Sequence, residues 1–462
     1  MIAPLPLILL AAAAAQSDDI LVPVIEEPWW QVAGNPDLGN YTTPHQQPVD
    51  FSVWQAADGT WQLWSCIRGT NCGGMTRLFH RWQGGNLKSP DWKPMGVAME
   101  SDPAFGETPG GLQAPHVVTW KGRYWMAYGD WVRICFADSD DGKTFRRHVG
   151  PSGKSGLFGE GNAWNSRDAM LLFSKGLWYC YYTAFPRGQG YDYCRTSTDL
   201  QSWSDSCVAA YGGWAGNGPF SCECPHVVEP EPGAYYLFRT QRYGQDAQTC
   251  VYRSANPLNF GIDDDGPFVC ALPVAAPEII RHQGEYYIAS LMPDLKGIRI
   301  ARLTWRRAQA TGTPVFDFLD EETRKGWRRL VKGDLDPCFV SSTNPDLAPP
   351  MSHFVSTVIG TDGSIHYERT GTIESPPFLV KDRLYSLWVS GTANVQATYV
   401  ALLNAESGEE LARVTGYGGH LFKRMIVDTS RFQGKRAFLR VVDADTGGGY
   451  INFGGLFSLP GA

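Results

Sequence analysis

Over most of the chain, short apolar runs come in pairs, each pair joined by a polar turn that holds a glycine. Five segments share this pattern: residues 50–64 turn at Gly59, 114–128 at Gly122, 168–182 at Gly176, 223–238 at Gly233 and 276–289 at Gly284. Each glycine suits a hairpin position that needs positive φ. The second run of each pair is rich in aromatics. In Tyr124-Trp125-Met126-Ala127-Tyr128 and Trp178-Tyr179-Cys180-Tyr181-Tyr182 it alternates with the period of strands, not helices. The middle segments add a second signature, Ser-x-Asp/Asn-x-x-x-aromatic, at Ser139 to Phe145, Ser197 to Trp203 and Ser254 to Phe260. An Asp or Asn there can close a turn on its own backbone, and the aromatic can plug a neighbouring strand pair. The repeating unit is therefore four strands. Such units cannot each bury a face alone, and a ring of blades solves that problem.

After Trp305 the texture changes. Strand-like runs follow at 372–379, 384–389, 398–403, 411–414, 422–428 and 436–442, separated by turns such as Ser407-Gly408 and Gly447-Gly448-Gly449. The predicted fold class is all-β. It comprises a five-bladed β-propeller over residues 20–305 and a C-terminal β-sandwich, jelly-roll-like, over 314–462.

Composition narrows the partners. Aromatics make up 13% of the 462 residues, with 17 Trp, which suits sugar stacking as well as barrel-like packing. A net charge of −7 with no Lys/Arg-rich run gives no footprint for nucleic acid or an anionic membrane. Residues 1–16 form an apolar run ending in Ala13-Ala14-Ala15-Gln16. They read as a signal peptide, too short to span a bilayer, so the expected location is secreted, periplasmic or extracellular. Eleven cysteines fit an oxidising compartment, with Cys66 and Cys72 the candidate disulfide. No paired CxxC and no His cluster at ligand spacing occurs, so no metal site and no cofactor is predicted. The Asp263-Asp264-Asp265-Gly266 run lacks the acid ladder of a calcium loop and reads as a turn. The expected partner is a carbohydrate, bound by a monomer.

The chemistry is expected where the first strand of each repeat begins. The frame Glu223-Cys224-Pro225-His226 recurs as Gln113-Ala114-Pro115-His116 and as Ala276-Pro277-Glu278, and acids stand at the corresponding starts as Asp50 and Asp168. In a propeller the innermost strands line one channel, so acids far apart in sequence would face one pocket. Glycoside hydrolysis needs at least two: one to protonate the leaving oxygen, and one to act as nucleophile or as base for water. Taken singly, each acid reads as an ordinary solvated strand end. The joint pattern is what points to catalysis.

The motifs Val49-Asp50-Phe51, Arg167-Asp168-Ala169 and Glu223-Cys224-Pro225-His226 come in the order and repeats of a known group. The chain resembles the five-bladed β-propeller glycosidases of families 43 and 32, the arabinanase/xylosidase and fructanase/invertase groups. That resemblance implies Asp50 as nucleophile or general base and Glu223 as general acid. It further implies Asp168, with Arg167 beside it, as the residue that holds substrate or tunes pKa. Phe51 and Ala169 stand where those families usually carry proline. Gln113, His116, Arg239 and Glu278 lie at or near strand ends that should reach the channel, and Trp54, Trp131 and Trp214 are candidate stacking platforms. His116 and Glu278 share a register opposite to that of Glu223, which equally suits packing between blades. Two other readings remain open at this point: a non-catalytic glycan-binding propeller, and a sialidase-like enzyme suggested by the turn at Ser139 to Phe145.

Overall fold

The computed structural model describes residues 19–90, 92–161, 165–264, 266–309, 312–319, 321–329, 338–341, 353–360, 362–416 and 418–461. The expected signal peptide lies outside them. The chain is nearly all β. Among the described residues no helix is long and apolar enough to cross a membrane.

Five antiparallel sheets follow one another along the first part of the chain, and each begins with an inner strand. These are β1 (Gln47–Gln55), β2 (Gln113–Trp120), β3 (Arg167–Ser174), β4 (Glu223–Glu231) and β5 (Glu278–His282). Each inner strand packs beside the next, and β5 packs against β1, so the inner strands close a ring. The hairpins form where the glycines predict them. Gly59, Gly122, Gly176, Gly233 and Gly284 all have φ between 75° and 83°, a region that costs a side-chain-bearing residue energy.

The polar turns do what their composition requires. Asp141 Oδ1 accepts from the Lys143 and Thr144 amides at 2.7 and 2.8 Å. Asp199 Oδ1 accepts from Gln201 and Ser202 at 2.9 and 2.8 Å, and Asn256 Oδ1 accepts from Leu258 at 3.0 Å. The aromatic that follows wedges into the preceding sheet. Phe145 meets Trp54 and Trp64, Trp203 meets Phe136, and Phe260 meets Tyr181. Adjacent sheets are thus pinned by aromatic contacts, edge-to-face at Phe145 and Phe260 and tilted at Trp203.

The last sheet of the ring is completed from the other end of the chain. Asp19–Gly34 pairs antiparallel with Gly297–Gln309, in a register running from Asp19 opposite Gln309 to Gly34 opposite Gly297. Joining the two ends of the ring in one ladder leaves the circle without a free edge there.

Beyond the ring lie two six-stranded sheets. One holds Leu384–Gly391, Gly419–Asp428 and Ile451–Leu459; the other holds Thr398–Asn404, Glu410–Val414 and Arg436–Asp443. Their facing residues share one apolar core, with Leu387, Val389 and Phe453 from the first against Val400, Leu402 and Val441 from the second. The run read as one strand over 372–379 is split into Gly371–Glu374 and Phe378–Leu379. Pro376 and Pro377 stand between the halves and have no N–H to give the ladder. Leu384 and Leu459 reach across to Val22, Tyr236 and Val269, so the paired sheets also pack against the ring.

The cysteines correct an expectation. Ten cysteine side chains are described, and all are free thiols. Cys66 lies inside a strand, fully buried, with its Sγ 3.3 Å from the Leu112 carbonyl. Cys72 lies on the following loop and turns to the Arg77 carbonyl at 3.5 Å. The two side chains serve different neighbours, and no bridge forms.

Candidate active site

The inner strands do not enter the ring smoothly. Asp50, Ala114, Asp168, Cys224 and Ala276 all have left-handed φ, at 36°, 43°, 58°, 50° and 48°. On β1 to β4 this residue coincides with a break in register against the second strand. A bulge of this kind re-aims the side chain it carries. None of the five is glycine, so each holds a conformation that L-residues avoid. All five line one open cavity at the ring centre, together with the two residues after each, Ser52 excepted.

This repeated bulge shifts the expected alignment by one. The residue of β4 that matches Asp50 and Asp168 is Cys224, and Glu223 sits one position earlier, level with Val49, Gln113, Arg167 and Ala275. Three layers result. The layer at the strand entries, or rim, carries Gln113, Arg167 and Glu223, none of which lines the cavity. The left-handed layer carries Asp50, Asp168 and Cys224. Two residues farther along stand Ser52, His116, Met170, His226 and Glu278.

In the rim, Arg167 is the organiser. Its Nη2 donates to Glu223 Oε1 at 2.8 Å and its Nε at 3.3 Å, while Nε lies 3.6 Å from Asp168 Oδ2. Nη1 and Nη2 also donate to the carbonyls of Asn165 and Pro219 at 3.2 and 3.3 Å. Burial opposes the charge on Arg167, yet the carboxylates of Glu223 and Asp168 together raise its pKa above the ordinary value. Gln113 is 1% exposed, and its Oε1 has no hydrogen-bond partner.

In the left-handed layer, Asp168 Oδ2 accepts the Cys224 amide at 3.0 Å. The Cys224 thiol donates to Asp50 Oδ1 at 3.3 Å and lies 3.3 Å from the Tyr243 hydroxyl. Burial, then the charge of Asp50, pushes the Asp168 carboxyl up to about 8, against the pull of Arg167. Burial also pushes the Cys224 thiol well up, helped by Asp168 and Asp50.

In the deepest layer, His116 Nδ1 and Glu278 Oε1 are 3.0 Å apart. Glu278 Oε2 accepts from Ser52 Oγ and the Val53 amide, both at 3.4 Å. His226 Nε2 accepts the Ile279 amide at 3.2 Å. Burial, then the neighbouring His116, lowers the His226 pKa to about 3.

Several predicted contacts move. Arg239 is 1% exposed and does not line the cavity. It lies beneath the segment leading to Glu223, with Nη2 donating to the Gly216 carbonyl at 3.0 Å and to Cys222 Sγ at 2.7 Å, and Nε 3.4 Å from Asp192. Its guanidinium braces that segment from below and does not face the channel. Trp54 is 6% exposed, and its indole N–H donates to the Gly142 carbonyl at 2.8 Å. It packs between the first two sheets as a strut, not a platform. Trp131 is half-buried under the Arg77 guanidinium, 4.8 Å from the ring centroid; the Trp214 side chain lies outside the described residues. His116 and Glu278 do line the cavity but are bonded to each other.

Two groups widely separated in sequence come within ligand distance of one another in space: His116 with His226 and Glu278, and Asp50 with Asp168 and Cys224. Spacing along the chain gives no sign of either, because each member comes from a different sheet.

No family model matches the chain, and no curated protein matches it. Among solved structures it is similar to a thermostable family-43 glycoside hydrolase at 20% identity, covering 58% of this chain and 92% of that one, with a TM-score of 0.42. It is similar to a Bombyx mori GH32 beta-fructofuranosidase at 14% identity over 93% and 94% of the two chains, with a TM-score of 0.42. A family 43 arabinoxylan arabinofuranohydrolase from Bacillus subtilis is 12% identical over 94% and 99%, with a TM-score of 0.39.

Proposed function

We propose that the protein is a secreted glycoside hydrolase. Its five-sheet ring is read as a five-bladed β-propeller, catalytic over about residues 20–305, and its paired C-terminal sheets as an accessory β-sandwich. The carrying observation is that two carboxylates from different sheets, Asp50 and Asp168, share one cavity. A third, Glu223, is tied to the same Arg167 that faces Asp168. That is the equipment an O-glycosidic bond requires: a proton for the leaving oxygen, and a carboxylate for the anomeric carbon or its attacking water.

In this reading Asp50 attacks the anomeric carbon or activates water. Glu223, at the rim and partly exposed, gives its proton to the leaving oxygen. Asp168, which lines the cavity, orients the sugar. The substrate class is a plant- or algal-type oligo- or polysaccharide.

A second reading, a glycan-binding propeller without turnover, is favoured by one observation. The Arg167 clip gives Glu223 a structural partner, and a donor to a leaving oxygen has to free Oε1 from it. One experiment separates the two. The purified protein is screened against a glycan panel with products read by chromatography, and Glu223→Gln is assayed on any glycan cleaved. Turnover should fall about 10³-fold with glycan affinity retained. Binding without any release of reducing sugar by the unsubstituted protein selects the second reading.

A further inference from the structure

The left-handed layer holds more than the hydrolase reading uses. Asp50, Asp168 and Cys224 come from three sheets, and their ligand atoms all lie within 4.8 Å of one another. All three residues sit at left-handed φ, so three separate strained backbones aim these groups at one point. Asp168 is 4% exposed and lines the cavity, yet its Oδ1 has no hydrogen-bond partner. A buried carboxylate oxygen left unpaired is costly. The nearest guanidinium, that of Arg167, approaches Oδ2 instead and is shared with Glu223.

We propose that Asp50, Asp168 and Cys224 form a site for one thiophilic divalent cation of the zinc class. A thiolate with two carboxylates is a borderline-soft donor set. It leaves a tetrahedral ion a fourth position facing the cavity. Calcium and magnesium are hard ions that take oxygen ligands, and the Cys224 sulfur disfavours them. Coordination by sulfur displaces the thiol proton to solvent, so affinity rises with pH.

The deeper trio does not carry the same inference. His116 Nδ1 and Glu278 Oε1 are engaged with each other, Glu278 Oε2 with Ser52 and Val53, and His226 Nε2 with the Ile279 amide. An ion there would have to break bonds already made. At Asp168 Oδ1 it would supply one that is missing.

The proposal rests on these three side chains and not on the hydrolase reading, so its test uses no glycan. Cadmium chloride and zinc chloride are titrated in turn into the full chain, with calorimetry for stoichiometry and the ultraviolet thiolate-to-cadmium band for the sulfur ligand. One equivalent should bind, with the band present. The band should vanish in Cys224→Ser and survive in Cys207→Ser, which removes the exposed thiol. Asp168→Asn should weaken binding about tenfold or more while circular dichroism stays unchanged. If Cys224→Ser does not fold, Asp168→Asn and Asp50→Asn decide the matter. Failure of the unsubstituted chain to bind, a band that persists in Cys224→Ser, or affinity unmoved by both Asp variants overturns the site.

Discussion

Two layers of one channel, two residues apart on the same inner strands, are built on opposite terms. In the layer of Ser52, His116, His226 and Glu278, each polar side chain has a partner on another sheet. Glu278 takes Ser52, Val53 and His116 at once, Ser52 Oγ accepts the Val117 amide at 3.1 Å, and His226 takes Ile279. In the layer of Asp50, Asp168 and Cys224, ionisable groups crowd, the backbone is left-handed, and a carboxyl oxygen goes unpaired. The first layer stitches the fourth, fifth, first and second sheets to one another. The second is held in a costly arrangement by the ring, which is where strained and unsatisfied groups are expected if they serve chemistry.

The largest effect should come from cutting the stitch. Glu278→Ala removes the acceptor shared by three donors and leaves His116 without its partner. Denaturant unfolding should show a loss of about 3 kcal/mol. A loss below about 1 kcal/mol would mean that the deeper layer is not what closes the ring.

A smaller effect separates the layers by pH. The native state holds the Asp168 proton up to about pH 8, whereas the unfolded chain gives it up near 3.8. The stability it contributes is therefore complete below about 4 and lost as pH rises through about 8. His226 works in the opposite sense. Its pKa falls from 6.5 to about 3 on burial, so its contribution is present above 6.5 and lost as pH drops through 3. Asp168→Asn should erase the alkaline limb of a plot of Tm against pH, with its gain over the unsubstituted chain greatest above pH 8. It should keep the acid limb. An alkaline limb that survives the substitution would place its origin outside this layer.

The same contrast explains what could be read from sequence. The hairpin glycines, the Asp and Asn turns with their aromatic wedges, and the placing of Asp50 and Asp168 on a common frame are local patterns, and the fold keeps them. The offset between Glu223 and Cys224 was not legible. It depends on a one-residue bulge, and a period of two cannot announce a bulge. The closing strand Asp19–Gly34 pairs with residues more than 260 positions away, so nothing adjacent in sequence marks it. The Cys66 and Cys72 expectation failed for a related reason: closeness along the chain says nothing about which neighbour each thiol turns to, Leu112 for one and Arg77 for the other. The burial of Arg239 was invisible because Asp192, on a neighbouring sheet, is its counter-charge.

The finest test concerns a residue that belongs to neither layer. Trp54 was a natural candidate for sugar stacking, yet its indole lies between the first two sheets, near Trp64 and Phe145, and donates to the Gly142 carbonyl. Trp54→Phe keeps an aromatic body in that space and removes the N–H. The Gly142 carbonyl then loses one donor, an expected cost of about 1 kcal/mol in Tm-derived stability. A platform for substrate would behave otherwise: Phe in place of Trp would raise KM or weaken glycan binding at constant stability. A variant slightly less stable with unaltered glycan affinity marks Trp54 as part of the frame that holds both layers in place. A variant of full stability with weakened affinity would return Trp54 to the binding surface.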